Sequence, residues 1–384
     1  MTPPRVVIAG MGDTGVLTAI RLARRADVVG VSAKPALVSG QELGWRLSRP
    51  DEWARHYRVD FGSFRGLDRV RTVHATLTGV DPAERTVGLT LPDGSATTLG
   101  YDALVIATGV RNGFWRRPAL QSAAQVDDEL RTAHRRIAAA DSVIVVGGGA
   151  AAVSSAAQIA LTWPGKRVDL YFPGPRALTA HHPRTWKAVQ RRLIDAGVGV
   201  HPGHRAELAP GFTAEELTGG PVRWTTGQPS ASADVVLWTI GRVAPNTAWL
   251  PPDFLDADGF VRVTDTLQVP GHPGVFAVGD VAATDPLRSS ARNRADGLVA
   301  HNVSAFFTGD SMRRYRPPAR RWGSVLGIGP DGLEVFTPNG RAFRVPAWAF
   351  EPVLMRGIVR WGIYRGIRAR EGAVRVVNGP VELP

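Results

Sequence analysis

Two glycine-rich turns of one design stand in this chain, Gly10-Met-Gly12-Asp-Thr-Gly15 and Gly147-Gly148-Gly149-Ala-Ala-Ala152, each between a short apolar run and a run of small residues. Strand, glycine turn, helix, strand is the opening of a βαβ unit. Residues 6–9 read as the first strand, 10–15 as the turn, 16–25 as the helix and 28–31 as the second strand; residues 142–172 repeat the plan. The first two glycines of such a turn let a pyrophosphate approach the helix N-terminus closely, and the third small residue lets helix and strand pack. A further strand over residues 274–278 ends in Gly279-Asp280. There a backbone N–H can reach a phosphate while the carboxylate accepts hydrogen bonds from a polyol chain.

The second unit lies inside the first. Two buried strands ending in glycine, residues 103–109 and 235–241, each close one unit. The expected fold class is therefore α/β, with two Rossmann-like dinucleotide-binding domains. The first is split over residues 1–112 and 241–312, the second spans 113–240, and a small basic C-terminal segment follows at 313–384. Apparent strands at 71–80 and 86–91 flank Asp81-Pro82 and read as an antiparallel insertion. A helix is expected near 295–307, a linker at 313–321 and a hairpin at 324–344.

The chain has 384 residues, a formal charge of +12 and no cysteine. The last property excludes a disulfide framework, a thiolate metal site and a cysteine relay within it. From Arg313 onward there are thirteen arginines against five acids, so the basic character is concentrated at the C-terminal end. No secretory leader is legible at the N-terminus, and a cytoplasmic location is the default. The uncharged stretch 142–165 is about long enough to cross a bilayer, but three glycines interrupt it and it reads as strand, turn and helix. His181-His182-Pro183 has no companion ligands at metal-site spacing, so no metal is expected and the pair is read as a surface loop of the second domain.

Together with Ala107-Thr108-Gly109, Gly241-Arg-Val-Ala-Pro-Asn246 and Val275-Phe-Ala-Val-Gly-Asp280, the fingerprints resemble those of flavoproteins of the pyridine-nucleotide oxidoreductase superfamily. The chain is most similar to the apoptosis-inducing-factor-like and ferroptosis-suppressor-like NAD(P)H:quinone oxidoreductases, with the type II NADH dehydrogenases as relatives. The resemblance implies FAD at Gly10, Gly12, Asp13, Thr14, Gly15, Ala107, Thr108, Gly109, Gly279 and Asp280. It implies NAD(P)H at Gly147, Gly149, Ala150, Ala152 and Gly241, with hydride passing to the flavin and electrons onward to a quinone or other small acceptor.

Both fingerprints lack the carboxylate that commonly holds ribose hydroxyls about 20 residues on. After the first, Ser32 and Lys34 are the candidates for ribose and phosphate. After the second stand Tyr171-Phe172-Pro173 and then Arg176, which removes repulsion against a 2′-phosphate and favours NADPH over NADH. A glutamate common in the second fingerprint helix of relatives is replaced by Ser154, so the chain uses water, a different side chain or a different acceptor. Arg288, Arg292 and Arg294, in the loop after Asp280, are expected near the flavin ring or, alternatively, in ion pairs with Asp285 and Asp296. Two other functions stay open: a ferredoxin-type reductase, and a non-enzymatic flavin- or nucleotide-binding sensor or nucleic-acid-associated protein.

Written as a helix, residues 352–370 place Met355, Val359, Ile363 and Ile367 in one stripe, with Arg356 and Arg360 beside it. Three readings compete. The helix docks on the first domain or on the partner of a homodimer; it lies on an anionic membrane surface, peripheral to the inner face of the plasma membrane; or, least favoured, it meets nucleic acid.

Overall fold

The computed structural model describes residues 2–111, 113–240 and 243–368. Its frame is a pair of five-stranded sheets whose orders match over their first three strands and differ at the far edge. In the first, β1 (Arg5–Ala9) is central, flanked by β2 (Asp27–Ser32) and β4 (Ala103–Ile106), with β3 (Val70–His74) beyond β2 and β10 (Val275–Ala277) beyond β4. In the second, β5 (Ser142–Val146) is central between β6 (Arg167–Phe172) and β9 (Ala231–Trp238), with β7 (Val198–Pro202) and β8 (Thr218–Val222) outside. All pairs are parallel except β8 with β9.

Alternation along the central strands sets the layers. Val6 and Ile8 face α1 (Asp13–Leu22) and the helix α4 (Ala295–Thr308), meeting Val16, Ala19, Val299 and Val303. Val7 and Ala9 face the other way, onto Val87, Leu89 and Leu99. Covered on both faces, such a strand has no polar side, which is why the sequence reads as an unbroken apolar run. In the second sheet Val143 and Val145 meet α3 (Ala150–Thr162), while Ile144 and Val146 meet Tyr171, Trp224 and Trp238.

The apparent strand at 71–80 divides at Ala75. Its first part, β3, joins the parallel sheet, and only Thr76–Asp81 pairs with Thr86–Thr90 and Ala96–Gly100 in an antiparallel meander. The chain pattern is β-rich throughout 70–81, so periodicity carried no signal of the change of sheet.

The two halves meet through small residues. The helix α2 (Leu43–Ser48) lies on α3, and a Cβ on Gly44 would stand 2.1 Å from the Ser154 carbonyl oxygen. This contact suits the alanines and serines of α3, which is buried almost all round. The uncharged stretch is thus the strand β5, its glycine turn and the interior helix α3, and no helix among the described residues is long and apolar enough to cross a membrane.

The C-terminal segment straddles both halves. A three-stranded sheet of Ile328–Gly329, Gly332–Phe336 and Ala342–Pro346 plants Phe336, fully buried, in the second core, where its burial contributes about 2 kcal/mol. The Phe350–Ile363 helix is wound with five-residue hydrogen bonds, ending in Tyr364 N–H to the Val359 carbonyl at 3.0 Å. Val359, Ile363 and Ile367 of the expected stripe pack against the first core, and Met355 is buried beside Trp45 and Trp53. Trp348, Val353, Ile358 and Trp361 remain exposed.

Candidate functional site

The fingerprints are built alike. Gly12 and Gly149 cap α1 and α3 in extended conformation, neither helix has a side-chain cap, and a Cβ on either glycine would meet nothing within 4 Å. Each is an exposed helix N-terminus with free N–H groups and open space before it, which is the geometry an anionic pyrophosphate requires. The preceding glycines do a different task. Gly10 has φ +103° and its Cβ would lie 2.5 Å from the Ala107 carbonyl oxygen, while Gly147 has φ +146° and would strike Thr239 at 2.3 Å. Gly15 passes so close to the Gly10 carbonyl that a Cβ would sit 1.9 Å from its oxygen; Ala152 fills the matching place in α3 and is fully buried.

Around the first fingerprint the remaining signals assemble. Gly279, with φ +89°, stands against Thr14, whose Oγ1 would be 3.2 Å from a Cβ there. Ser290 Oγ accepts from the Gly279 N–H at 3.1 Å and donates to its carbonyl at 2.9 Å, fixing the turn that presents Asp280. Thr108 is stitched to Asn246 in both directions, at 2.9 and 3.0 Å, and Gly109 accepts from the Asn246 N–H. Asp13 accepts from Ser39 Oγ at 2.9 Å and from the Tyr364 hydroxyl at 3.1 Å. Desolvation raises its carboxyl above the ordinary range, and the two hydrogen bonds draw it back.

Three groups that sequence reading did not single out complete this wall. Arg116 bridges to Asp280 at 3.0 Å and to the Gly40 carbonyl at 3.3 Å. Its turn is held by buried Arg46, which donates to the Trp115 carbonyl at 2.8 Å and lies over the Trp53 ring. Burial lowers Arg46 to about 10. Glu42, just before α2, is the third; desolvation lifts its carboxyl to about 7 against the pull of Arg292. Nothing local marks these residues, because each is brought in by packing between distant segments.

Several expected contacts take another form. Lys34 donates to the carbonyls of Arg117 at 2.8 Å and Ala119 at 3.5 Å, and burial lowers it to about 8. Its ammonium is spent on tying two loops together, and Ser32 Oγ accepts from the Lys34 N–H at 3.2 Å. Arg176 turns back on its own loop, donating to the carbonyls of Leu178, Thr179 and His181 at 3.3 to 3.5 Å. His181 is buried rather than on the surface, with neither ring nitrogen partnered, and burial beside Arg292, Arg321 and Arg176 lowers it to about 4. Among the described residues no cluster of metal-ligating side chains forms. Gly241 lies outside the described residues.

The arginine loop divides. Arg288 stacks on Phe260 and pairs with Asp258 at 3.7 Å. Arg294 is exposed at the start of α4 with φ 53°, and Asp296 pairs with Arg21 at 2.5 Å rather than with the loop. Asp285 is occupied by Ser289 and Thr284. Of the three, Arg292 joins the charged cluster of Asp280, Arg116 and Glu42; desolvation and then the charge of Arg321 lower its affinity for protons, and Asp280 and Glu42 act in the opposite direction.

A family model described as pyridine nucleotide-disulphide oxidoreductase matches residues 4–302. The chain belongs to this family. It is similar to oxidoreductase ptaL of Pestalotiopsis fici, at 28% identity over 376 residues covering 91% of this chain and 94% of that one. It is also similar to the NADH dehydrogenase-like protein Rv1812c of Mycobacterium tuberculosis, at 28% over 307 residues covering 73% of each. Among solved structures, the fold matches an NAD-dependent persulfide reductase from A. fulgidus with TM-score 0.63 at 20% identity, covering 86% of this chain but 63% of that one. It also matches putidaredoxin reductase in its covalent complex with putidaredoxin, with TM-score 0.59 at 19% identity, covering 94% and 93%. The protein is an FAD-dependent NAD(P)H oxidoreductase with the two-domain Rossmann-like fold of its family. The open helix starts at Gly12 and Gly149 fit the two pyrophosphates.

Proposed function

We propose that this protein oxidises NADPH in preference to NADH and passes the electrons to a quinone-like acceptor without a cysteine relay. The observation that carries the reading is the pairing of two uncapped glycine helix starts with one charged cluster, Asp280, Arg116, Arg292 and Glu42, whose members act on one another. When bound, FAD accepts hydride and releases electrons, chemistry that needs no protein nucleophile. The chain's own residues bind and orient: Gly12 and α1 hold one pyrophosphate, Gly149 and α3 the other, and Arg292 supplies positive potential where a reduced flavin or an electron-rich acceptor carries negative charge. The preference for NADPH rests on the absence of a carboxylate at the end of β6, where Tyr171 stacks on His201 at 4.3 Å and on Trp224 at 4.6 Å. Steady-state oxidation of NADPH and NADH with a soluble quinone tests this. A strong NADH preference contradicts the nucleotide assignment, and salt-sensitive turnover with ferredoxin but none with quinone contradicts the acceptor.

For location we propose an anionic lipid surface. Trp348 and Trp361 are 77% and 60% exposed, beside exposed Arg356 and Arg365. Aromatic rings suit the interface, and each basic residue near it is worth about 1 kcal/mol.

A further inference from the structure

Reduction of a quinone by NAD(P)H follows NAD(P)H + quinone + H⁺ → NAD(P)⁺ + quinol. The hydride carries two electrons and one proton, so one further proton per turnover must enter from elsewhere. On the second-domain side α3 offers Ser154, Ser155 and Gln158 at the helix contact, none of which titrates near neutrality. Ser154 donates to the Ala151 carbonyl at 3.3 Å, and the Ser155 hydroxyl is buried without a partner.

The first-domain side offers Glu42. It has φ 56°, a left-handed conformation uncommon for glutamate, and it turns the chain immediately before α2. Gly44, two residues on, presses against the Ser154 carbonyl. Glu42 Oε2 and Gln158 Nε2 each lie 3.0 Å from where a Cβ on Gly327 would stand, and Gln158 is one turn beyond Ser154 on the same face of α3. The carboxyl therefore sits at the seam of the two nucleotide-binding halves. Arg292 faces it from the loop after Asp280, and Tyr57 faces it from beneath. Arg49 is held on Gln158 Oε1 at 2.9 Å, and Asp13 lies close enough for its charge to raise Tyr57 alongside that of Glu42. Among the described residues no hydrogen bond or ion pair to the Glu42 carboxyl forms within normal distance, so it is free to exchange a proton.

We propose that Glu42 supplies the second proton of acceptor reduction. Its carboxyl O–H breaks as the new O–H bond of the quinol forms, and the carboxylate takes its replacement from solvent, the proton on the left of the overall equation. A carboxyl held near 7 is half protonated under the conditions of turnover, which suits a group that must both give and regain a proton.

This role rests on the quinone reading above, and the test separates the two. Denaturation midpoints of wild type and Glu42→Gln are first compared across pH, a measurement that needs no turnover. A carboxyl raised by burial stabilises the fold fully below its unfolded value of 4.5 and loses that contribution as pH rises through about 7. The variant therefore gains stability relative to wild type over that interval and holds a constant difference above it. Turnover is then compared with a quinone and with ferricyanide, which accepts electrons but no proton. The quinone-to-ferricyanide rate ratio of Glu42→Gln falls by about 100-fold and its limb near pH 7 disappears, while Glu42→Asp recovers part of both. An unchanged ratio, or a pH-independent stability difference, overturns the proposal. Absence of NAD(P)H oxidation with either acceptor overturns the function itself, and this role with it.

Discussion

In both halves a glycine caps the helix after the central strand, yet the ground around Gly12 and Gly149 differs. The first is enclosed: Asp13 is gripped by Ser39 and by Tyr364 from the last helix, Asp280 is tied to Arg116, and Lys34 locks the neighbouring loop. The second has local ties among the described residues: Gly149, like Gly12, is exposed, Leu178 N–H donates to the Gly148 carbonyl at 2.7 Å, and Arg176 bonds within its own loop. On the proposed function, the first setting retains its nucleotide and the second exchanges it. Retention comes from long-range packing, with 351 residues separating Asp13 from Tyr364.

Substitutions in the paired glycines give the largest contrast. Gly15→Ala forces a Cβ onto the Gly10 carbonyl and is expected to cost about 3 kcal/mol and to yield protein without FAD, read by absorbance of the purified chain. Gly149→Ala meets nothing in the fold, so FAD content and stability stay at wild-type values while KM for NADPH rises about tenfold, equivalent to about 1.4 kcal/mol. Equal losses in both variants would break the distinction between the two sites.

Next in size is Tyr364→Phe. Losing its hydrogen bond to Asp13 costs about 1 kcal/mol at neutral pH and speeds FAD release. The sign with pH follows from the bond, which favours ionised Asp13. Without it the carboxyl rises further, so the stability deficit is present at neutral pH and shrinks as pH falls through the raised folded-state range above 3.8, vanishing once Asp13 is protonated in both folded proteins. A deficit that grows on acidification contradicts the enclosure account. The smallest effect concerns the outer face. Trp348→Ser with Trp361→Ser leaves FAD content unchanged and lowers partition onto anionic vesicles by about tenfold, measured by flotation; unchanged partition contradicts the lipid surface.

The strands and turns that place the fingerprints were legible because each is encoded locally, by a β-branched run, a glycine turn and a small-residue helix. The stripe over 352–370 was legible in part: the helix ends at Ile363, where Val359 and Ile363 face the first core in the wider winding, and Ile367 reaches that core from beyond the helix, bridged to Phe64. What surrounds the fingerprints was not. Arg116 meets Asp280 across 164 positions, and Glu42 gains its environment from Tyr57, Gly327 and Arg292. Lys34 and Arg176 show the converse: a basic residue at the expected spacing finds nearby carbonyls to bond. His181 is buried because the segment bearing Arg321 crosses its loop, with Arg321 N–H bonded to the Ala180 carbonyl at 3.0 Å.

Anaerobic titration of the purified protein with NADPH, followed by visible absorbance, tests most directly that an enclosed first site and a locally tied second site serve one electron transfer. The account predicts yellow protein that bleaches at one equivalent of NADPH and regains its colour on addition of a quinone. Colourless protein that takes up no FAD, or yellow protein that NADPH and NADH both leave unchanged, would contradict it.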